Sequence, residues 1–188
     1  MEIFDNLDRI RRDSNNVITV GTFDGLHLGH QYIFNELKQT ATQVEGIPTV
    51  VTFNPHPQIV LAAPDKPPIK ILTTIEQKIE LIRRQDIQKL IIIPFTLEFS
   101  RLSSEEYVNR ILYETIGLKG IVIGYDHAFG KGREGGIHTL TQIGQEKHFF
   151  IKKLSPFMLD GQVISSSLIR QLISRGEVEQ ANRFLGHP

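Results

Sequence analysis

Short apolar runs alternate with amphipathic stretches along most of the chain. Asn16 to Val20, Ile47 to Phe53, Leu90 to Phe95, Gly120 to Gly124 and Phe149 to Leu154 are largely apolar and mostly rich in β-branched residues. That is the pattern of strands buried on both faces of a parallel sheet. Between them, segments near 30–45, 73–85, 103–116 and 139–146 repeat apolar residues at helical spacing; in the first, Ile33, Leu37 and Ala41 share a face. Thr73-Thr74 and Ser103-Ser104 precede Glu-containing helical runs and supply capping hydroxyls, and Ser103 with Glu106 matches a capping box. This alternation predicts an α/β fold, a Rossmann-like doubly wound parallel sheet with right-handed crossovers.

The breaks in the pattern are as informative. Asn54 to Lys70 contains Pro55, Pro57, Pro64, Pro67 and Pro68; proline cannot donate to a ladder, so the segment reads as a mobile flap and not an internal strand. Leu159-Asp160-Gly161-Gln162-Val163 sets a turn dipeptide between extended segments. Two short C-terminal helices are expected after it, with a seam at Arg175-Gly176-Glu177 and the second running from Glu177 to Phe184. Residues 176–188 carry no catalytic pattern and read as a cap or linker.

A length of 188 residues suits one domain with a substantial core. Lys and Arg number 21, as do Asp and Glu, so no basic excess is available for a polyphosphate backbone, and nucleic acid is not an expected partner. Arg11-Arg12, Arg83-Arg84 and Lys152-Lys153 are short and scattered, as solvated surface pairs are. The absence of cysteine excludes disulfides and thiolate chemistry and is compatible with a reducing cytoplasm, the expected location. No apolar run approaches the ~18 residues of a membrane helix, and Met1-Glu2-Ile3-Phe4-Asp5 lacks the basic and apolar regions of a signal peptide.

Candidate chemistry concentrates in Gly21-Thr22-Phe23-Asp24-Gly25-Leu26-His27-Leu28-Gly29-His30, between the first apolar run and the first helix. A helix start offers unpaired N–H groups and partial positive charge to an anion, and Gly21, Gly25 and Gly29 let a phosphate approach the backbone. His27 and His30, three apart, face one side and can hold one phosphoryl group as charge builds on its oxygens. Paired histidines also occur as caps, surface residues or zinc ligands, but no cysteine or nearby carboxylate pair supports a zinc cage. The glycine-rich stretch from Gly124 to Gly136 is not a P-loop: five residues separate Gly124 from Gly130-Lys131, and Gly132 stands where Ser or Thr is needed.

The ten-residue string matches G-x-F-D-G-x-H-x-G-H, the first motif of the H-x-G-H nucleotidyltransferases, and its spelling resembles the adenylyltransferase module of bacterial bifunctional riboflavin kinase/FMN adenylyltransferases. Three further blocks follow in that family's order. Thr52-Phe53-Asn54-Pro55-His56-Pro57 is similar to T-F-x-P-H-P, and Gly124-Tyr125-Asp126-His127-Ala128-Phe129-Gly130 to G-x-D-F-x-F-G, closed by Gly135 or Gly136. Ile164-Ser165-Ser166-Ser167-Leu168-Ile169-Arg170 is similar to I-S-S-T-x-I-R. His127 departs from the family's Phe, Ser167 from its Thr, and Leu185-Gly186-His187-Pro188 has His for the Arg of an L-G-R-P junction.

The resemblance implies one FMN adenylyltransferase domain over 1–188, with the riboflavin kinase domain that follows the junction absent and no kinase activity expected. It implies ATP and FMN as substrates and Mg²⁺ as cofactor. Gly21, Phe23, Asp24, Gly25, Gly29 and Gly124 would contact ATP, and His27 and His30 its α-phosphate. Ser165, Ser166 and Arg170 would hold the phosphates that leave as pyrophosphate; Phe53, Asn54, Pro55, His56, Pro57, Asp126 and Phe129 would form the flavin side. From the residues alone, Ser165 to Ser167 also suit a helix cap, Phe53 and Phe129 a core, and Asp24 and Asp126 local Asx turns. No Mg²⁺ ligand stands out. Two other readings stay open: another H-x-G-H nucleotidyltransferase, with cytidylyl or other adenylyl transfer, and a non-catalytic nucleotide-binding module.

Overall fold

The computed structural model describes every residue except Pro64, Lys66 and Pro188. Pro64 of the expected flap and Pro188 of the junction therefore lie outside the described residues.

Six strands form one parallel sheet in the order β1-β4-β3-β2-β5-β6. They are β1 (Glu2–Phe4), β2 (Asn16–Val20), β3 (Ile47–Asn54), β4 (Lys89–Pro94), β5 (Gly120–Ile123) and β6 (Phe150–Lys153). The helices are α1 (Leu28–Gln43), α2 (Pro57–Val60), α3 (Ile75–Arg83), α4 (Ser104–Glu106), α5 (Ile137–Lys147), α6 (Ser166–Ser174) and α7 (Val178–Leu185). Helix α4 runs directly into a wide π-helical segment, Tyr107–Ile116.

Alternation within the strands builds a core on each face. Ile18, Val51, Ile91, Ile93 and Ile121 pack with Tyr107, Val108, Leu112, Ile116 and Leu140 on one side. Val17, Val50, Leu90, Ile92 and Val122 pack with Phe34 and Leu37 of α1 and Ile82 of α3 on the other. Burying each such side chain is worth about 1.5–3 kcal/mol, and the two-sided burial explains why the strands read as continuous apolar runs. A third, small cluster, Ile164, Ile169, Leu172, Ala181 and Phe184, joins α6 to α7 and meets Leu28 and Leu72.

The chain winds outward from β2 through β3 and β4, then returns to β5 on the other side of β2. The order of strands reverses between β2 and β5, and ligands of such sheets bind beyond the carboxyl ends of the strands at that point. The segments after β2 and β5 are Gly21 to His30 and Gly124 to Gly136.

The five expected strands and both capping sites form, Thr74 with Gln77 and Ser103 with Glu106 closing reciprocal boxes. The turn at Asp160-Gly161 joins a hairpin of β7 (Met158–Leu159) and β8 (Gln162–Val163), with both turn residues at positive φ. Three features differ from expectation. β1 was not anticipated, because three residues are too few to display a period. The proline-rich segment holds α2, which starts at His56 with Pro57 in its first turn. Residues 107–116 are helical but π-wound, a distinction that helix propensities do not encode.

Candidate active site

The H-x-G-H turn is held in an unusual backbone path. Phe23 (φ 46°) and Leu26 (φ 34°) are left-handed non-glycine residues, flanking Gly25 (φ 78°). Such conformations cost about 1–3 kcal/mol each and persist only where surrounding contacts impose them. Here the contacts are visible. Phe23 is 2% exposed and its ring meets His30 and Phe34 edge-on, at centroid distances of 5.2 and 4.9 Å. Gly21 makes room for that ring, since a Cβ there would lie 2.9 Å from it, and Gly25 packs beneath Leu72 and Leu185.

His27 caps α1: its Nδ1 accepts the backbone N–H of His30 at 3.3 Å. That bond leaves the proton on Nε2, so the outer nitrogen is a donor. The two imidazoles stack, with centroids 3.6 Å apart and planes 19° from parallel. Burial pushes His27 down to about 4, with Asp24 opposing the shift. Burial and then the adjacent His27 push His30 well below the ordinary histidine range. Both rings are therefore neutral near pH 7, which a stacked pair so close together requires.

Asp24 belongs to a different network. Its carboxylate is 2% exposed and pairs with the Arg170 guanidinium. It also accepts the N–H of Leu72 at 2.9 Å, the N–H of Thr73 at 3.1 Å and the Thr73 hydroxyl at 3.3 Å. These donors lie 48 and 49 residues away, so Asp24 is no local Asx turn: it ties the signature turn to the segment before α3. Arg170 Nε donates to the Lys70 carbonyl at 2.7 Å. Ser165 caps α6 by accepting the Leu168 N–H at 3.2 Å, and the Ser166 hydroxyl donates to the Asp24 carbonyl at 2.9 Å. The cap expected for the serine cluster forms, and the same residues face the site.

These elements open onto a cavity of about 560 Å³, within the range of small-molecule sites. Gly21, Phe23, His27, Gly29, His30, Ser165, Ser166 and Arg170 line it, and so do Phe53, His56, Pro57, Gly124, Asp126 and Phe129. Asp24, Asn54 and Pro55 do not: they face a second, smaller cavity of about 60 Å³ that shares Phe53 and His56 with the first. Phe129 is 8% exposed and belongs to the core as well as to the cavity; its backbone pairs with Gly135, which closes the glycine-rich loop. His127 stacks obliquely on Phe129 at 5.5 Å and is pushed down to about 4 by burial, so it too is uncharged near pH 7.

The sequence reading missed a set of aromatic and apolar wall residues, Phe95, Phe99, Leu102 and Tyr107. Phe53, Phe95 and Phe99 form mutual ring contacts between 5.6 and 6.1 Å. The wall comes from the carboxyl end of β4 and the approach to α4, where no motif calls for attention. It missed Lys78 as well, a lysine 5% exposed on α3 that lines the second cavity. The signal was present: Ile75, Ile79 and Ile82 set an apolar stripe, and Lys78 stands in it.

Fold and site together define an α/β protein whose cavity opens at a helix start beside the switch point of a parallel sheet. The family profile described as FAD synthetase matches residues 9–168. The chain is 36% identical over 177 residues to a bifunctional riboflavin kinase/FMN adenylyltransferase of Listeria monocytogenes, covering 94% of this chain and 55% of that protein. It is 34% identical over 184 residues to the protein of the same name from Buchnera aphidicola, covering 97% and 58%. The chain belongs to the FAD synthetase family, and it spans a little over half the length of these curated relatives. A solved Streptococcus pneumoniae structure described as a macrolide-efflux protein superposes with a TM-score of 0.84 at 26% identity, over 99% of this chain and 70% of that one. Among the described residues no helix is long and apolar enough to cross a membrane. A pantothenate synthetase from Thermus thermophilus shares the fold at a TM-score of 0.57 and 14% identity, over 99% of this chain and 81% of that one.

Proposed function

We propose that this chain transfers the adenylyl group of ATP to FMN, forming FAD and pyrophosphate. The observation that carries the reading is one cavity lined by two chemically distinct groups of residues. The first offers phosphate donors, His27, His30, Ser165, Ser166 and Arg170; the second is aromatic, with Phe53, Phe95, Phe99 and Phe129. A triphosphate suits the first group and an isoalloxazine the second.

An FMN phosphate oxygen attacks the ATP α-phosphorus in line; the bond from α-phosphorus to the bridging oxygen breaks, and pyrophosphate leaves with that oxygen. FMN is a phosphate monoester with a second pKa near 6 and is mostly dianionic at neutral pH, so no protein base is needed. The chain's work is alignment and charge stabilisation. His27 Nε2–H and the α1 start receive the α-phosphate, while Arg170 and the α6 start receive the departing phosphates. Mg²⁺ would enter with ATP and neutralise phosphate charge. Among the described residues Asp126 is the one carboxylate on the main cavity wall, which fits an ion that takes one or two protein ligands and keeps its waters. The curated relatives are named for two activities, and we assign the riboflavin kinase activity of those proteins to the part of them that this chain does not match.

The test is FAD and pyrophosphate formation from FMN and MgATP, with riboflavin and CTP as parallel substrates. FAD from FMN alone supports the reading. Turnover with CTP and no turnover with ATP would move the chain to another nucleotidyl transfer, and ATP binding without product would make it a binding module.

A further inference from the structure

Lys78 is 5% exposed, yet among the described residues no hydrogen bond or ion pair engages its ammonium, and no carboxylate oxygen comes within 4.0 Å. The stem is buried while the ammonium itself is not among the sealed, unpartnered polar atoms, so it opens on a space where an anion can meet it. The opposite charge nearest in influence is Asp24, whose carboxylate is already taken by Arg170, Leu72 and Thr73. The ammonium lines the second cavity, about 60 Å³ in volume, beside Asn54, His56 and Thr73. That volume holds a few waters or the oxygens of one phosphoryl group.

Asp24 lines this space too, its carboxylate engaged by Arg170, Leu72 and Thr73; of the other polar walls, His56 is a donor. His56 Nδ1 accepts the Gln58 N–H at 3.1 Å, which leaves Nε2 as an N–H donor. Burial first, and then the charges of Lys78 and Arg170, hold His56 below its ordinary range, so it stays neutral. Asn54 contributes an amide, and His56 and Phe53 line both cavities. The Asp24 carboxylate is spent on its own donors, while the Lys78 ammonium, the His56 Nε2–H and the Asn54 amide N–H groups are not.

We propose that Lys78, His56 and Asn54 form a second phosphoryl-binding site behind the H-x-G-H turn, one that takes oxygens of a substrate phosphate. This rests on the adenylyl-transfer reading and assigns Asn54 and His56 to a phosphate, where sequence resemblance had placed them on the flavin. Two phosphates could supply the oxygens: the FMN monoester or the outer phosphates of ATP.

The experiment compares the full chain with Lys78→Met, similar in length and uncharged, and with Lys78→Gln in case the first fails to fold. Each protein is melted thermally, and its affinities are measured calorimetrically for inorganic pyrophosphate, for FMN against riboflavin, and for ATP against AMP. Removing a charge that has no partner in the fold predicts a melting temperature that does not fall. Affinity for the phosphorylated probe should fall about 10- to 100-fold, the value of a charge-assisted contact. A loss for FMN and not riboflavin names the flavin phosphate as occupant; a loss for ATP and not AMP names the triphosphate. Equal affinities of variant and unaltered chain for every phosphorylated probe overturn the site. So does a lowered melting temperature with matching losses for riboflavin and AMP, the behaviour of a structural lysine. FAD formation by the unaltered chain is scored separately: its absence, with pyrophosphate binding still dependent on Lys78, removes the transfer reading and keeps the site.

Discussion

Asp24 is the joint between the signature turn and the C-terminal helices, and truncating it should be more damaging than any single phosphate contact suggests. Asp24→Ala removes an acceptor that serves Leu72, Thr73 and Arg170 at once. Two backbone N–H groups lose their partner and a guanidinium with a side chain only 19% exposed loses its counter-ion. Breaking a buried pair from one side costs about 3–5 kcal/mol, which for a chain of this length lowers the melting temperature by roughly 6–20 °C. Asp24→Asn separates the contributions. Both backbone donors point to Oδ1, so the amide oxygen can keep them, and the loss is the ion pair alone, about 1.5–3 kcal/mol. The assay is urea unfolding of Asp24→Ala, Asp24→Asn, Arg170→Met and the Asn/Met double variant. Because the Met side chain removes the stranded cation, the double variant should be more stable than the sum of its singles implies, by about 0.5–3 kcal/mol. Asp24→Ala within 1 kcal/mol of the unaltered chain, or strict additivity in the cycle, would refute this account.

Replacing His27 or His30 by Ala should lower the rate of FAD formation by about 10²–10³, the effect of losing one preorganised donor; near-normal turnover in both variants removes the phosphate-clamp role. The histidines also predict acid lability. His27 is near 4 when folded against 6.5 when free, so the unfolded chain takes up a proton that the native state refuses, and stability rises with pH across that window. Acidification from pH 7 to pH 5 should cost about 2 kcal/mol through His27, with His127 adding a similar amount; equal urea midpoints at the two pH values would contradict it. Turnover should lose its acid limb near pH 6, where the FMN phosphate gains a proton, and not near pH 4; stopped assays from pH 4.5 to 8 in conditions where the chain stays folded read this directly.

The sheet was legible because parallel strands buried on both faces produce long apolar runs, and Asn16 to Val20 was placed to the residue. The caps were legible because a hydroxyl three residues before Glu106 or Gln77 has a local consequence. Long-range consequences were not. Nothing local to Asp24 announces that its partners are Leu72, Thr73 and Arg170, and the residue looks like a turn former until the fold brings them together. Phe23 shows the same limit: its motif marks it as a ligand contact and it does line the cavity, but nothing local announces that its ring is also wedged between Gly21, His30 and Phe34. The aromatic wall from Phe95 to Tyr107 lacks a motif because any large apolar side chain can build it. Lys78 did leave a trace, a charge inside an apolar helical stripe, and such an exception carries more information than the stripe itself.

On the proposed adenylyl transfer, the distribution of charge around the turn divides the labour of binding a phosphorylated substrate. Stacked at 3.6 Å, His27 and His30 could not both be cations without repelling each other and Arg170, so they act as neutral donors with fixed direction. Positive charge is supplied from behind and beside them, by Lys78, by Arg170 and by the starts of α1 and α6. Asp24 sits between the two full cations and offsets one of them, leaving a single net positive charge among the three side chains. Full neutralisation would remove the pull on an anion; two uncompensated cations would favour retention of pyrophosphate and slow its release. If the site joins two anions and releases a third, as proposed, directional neutral donors in front and a moderated charge behind serve it better, and the left-handed backbone at Phe23 and Leu26 is the strain that accompanies this geometry.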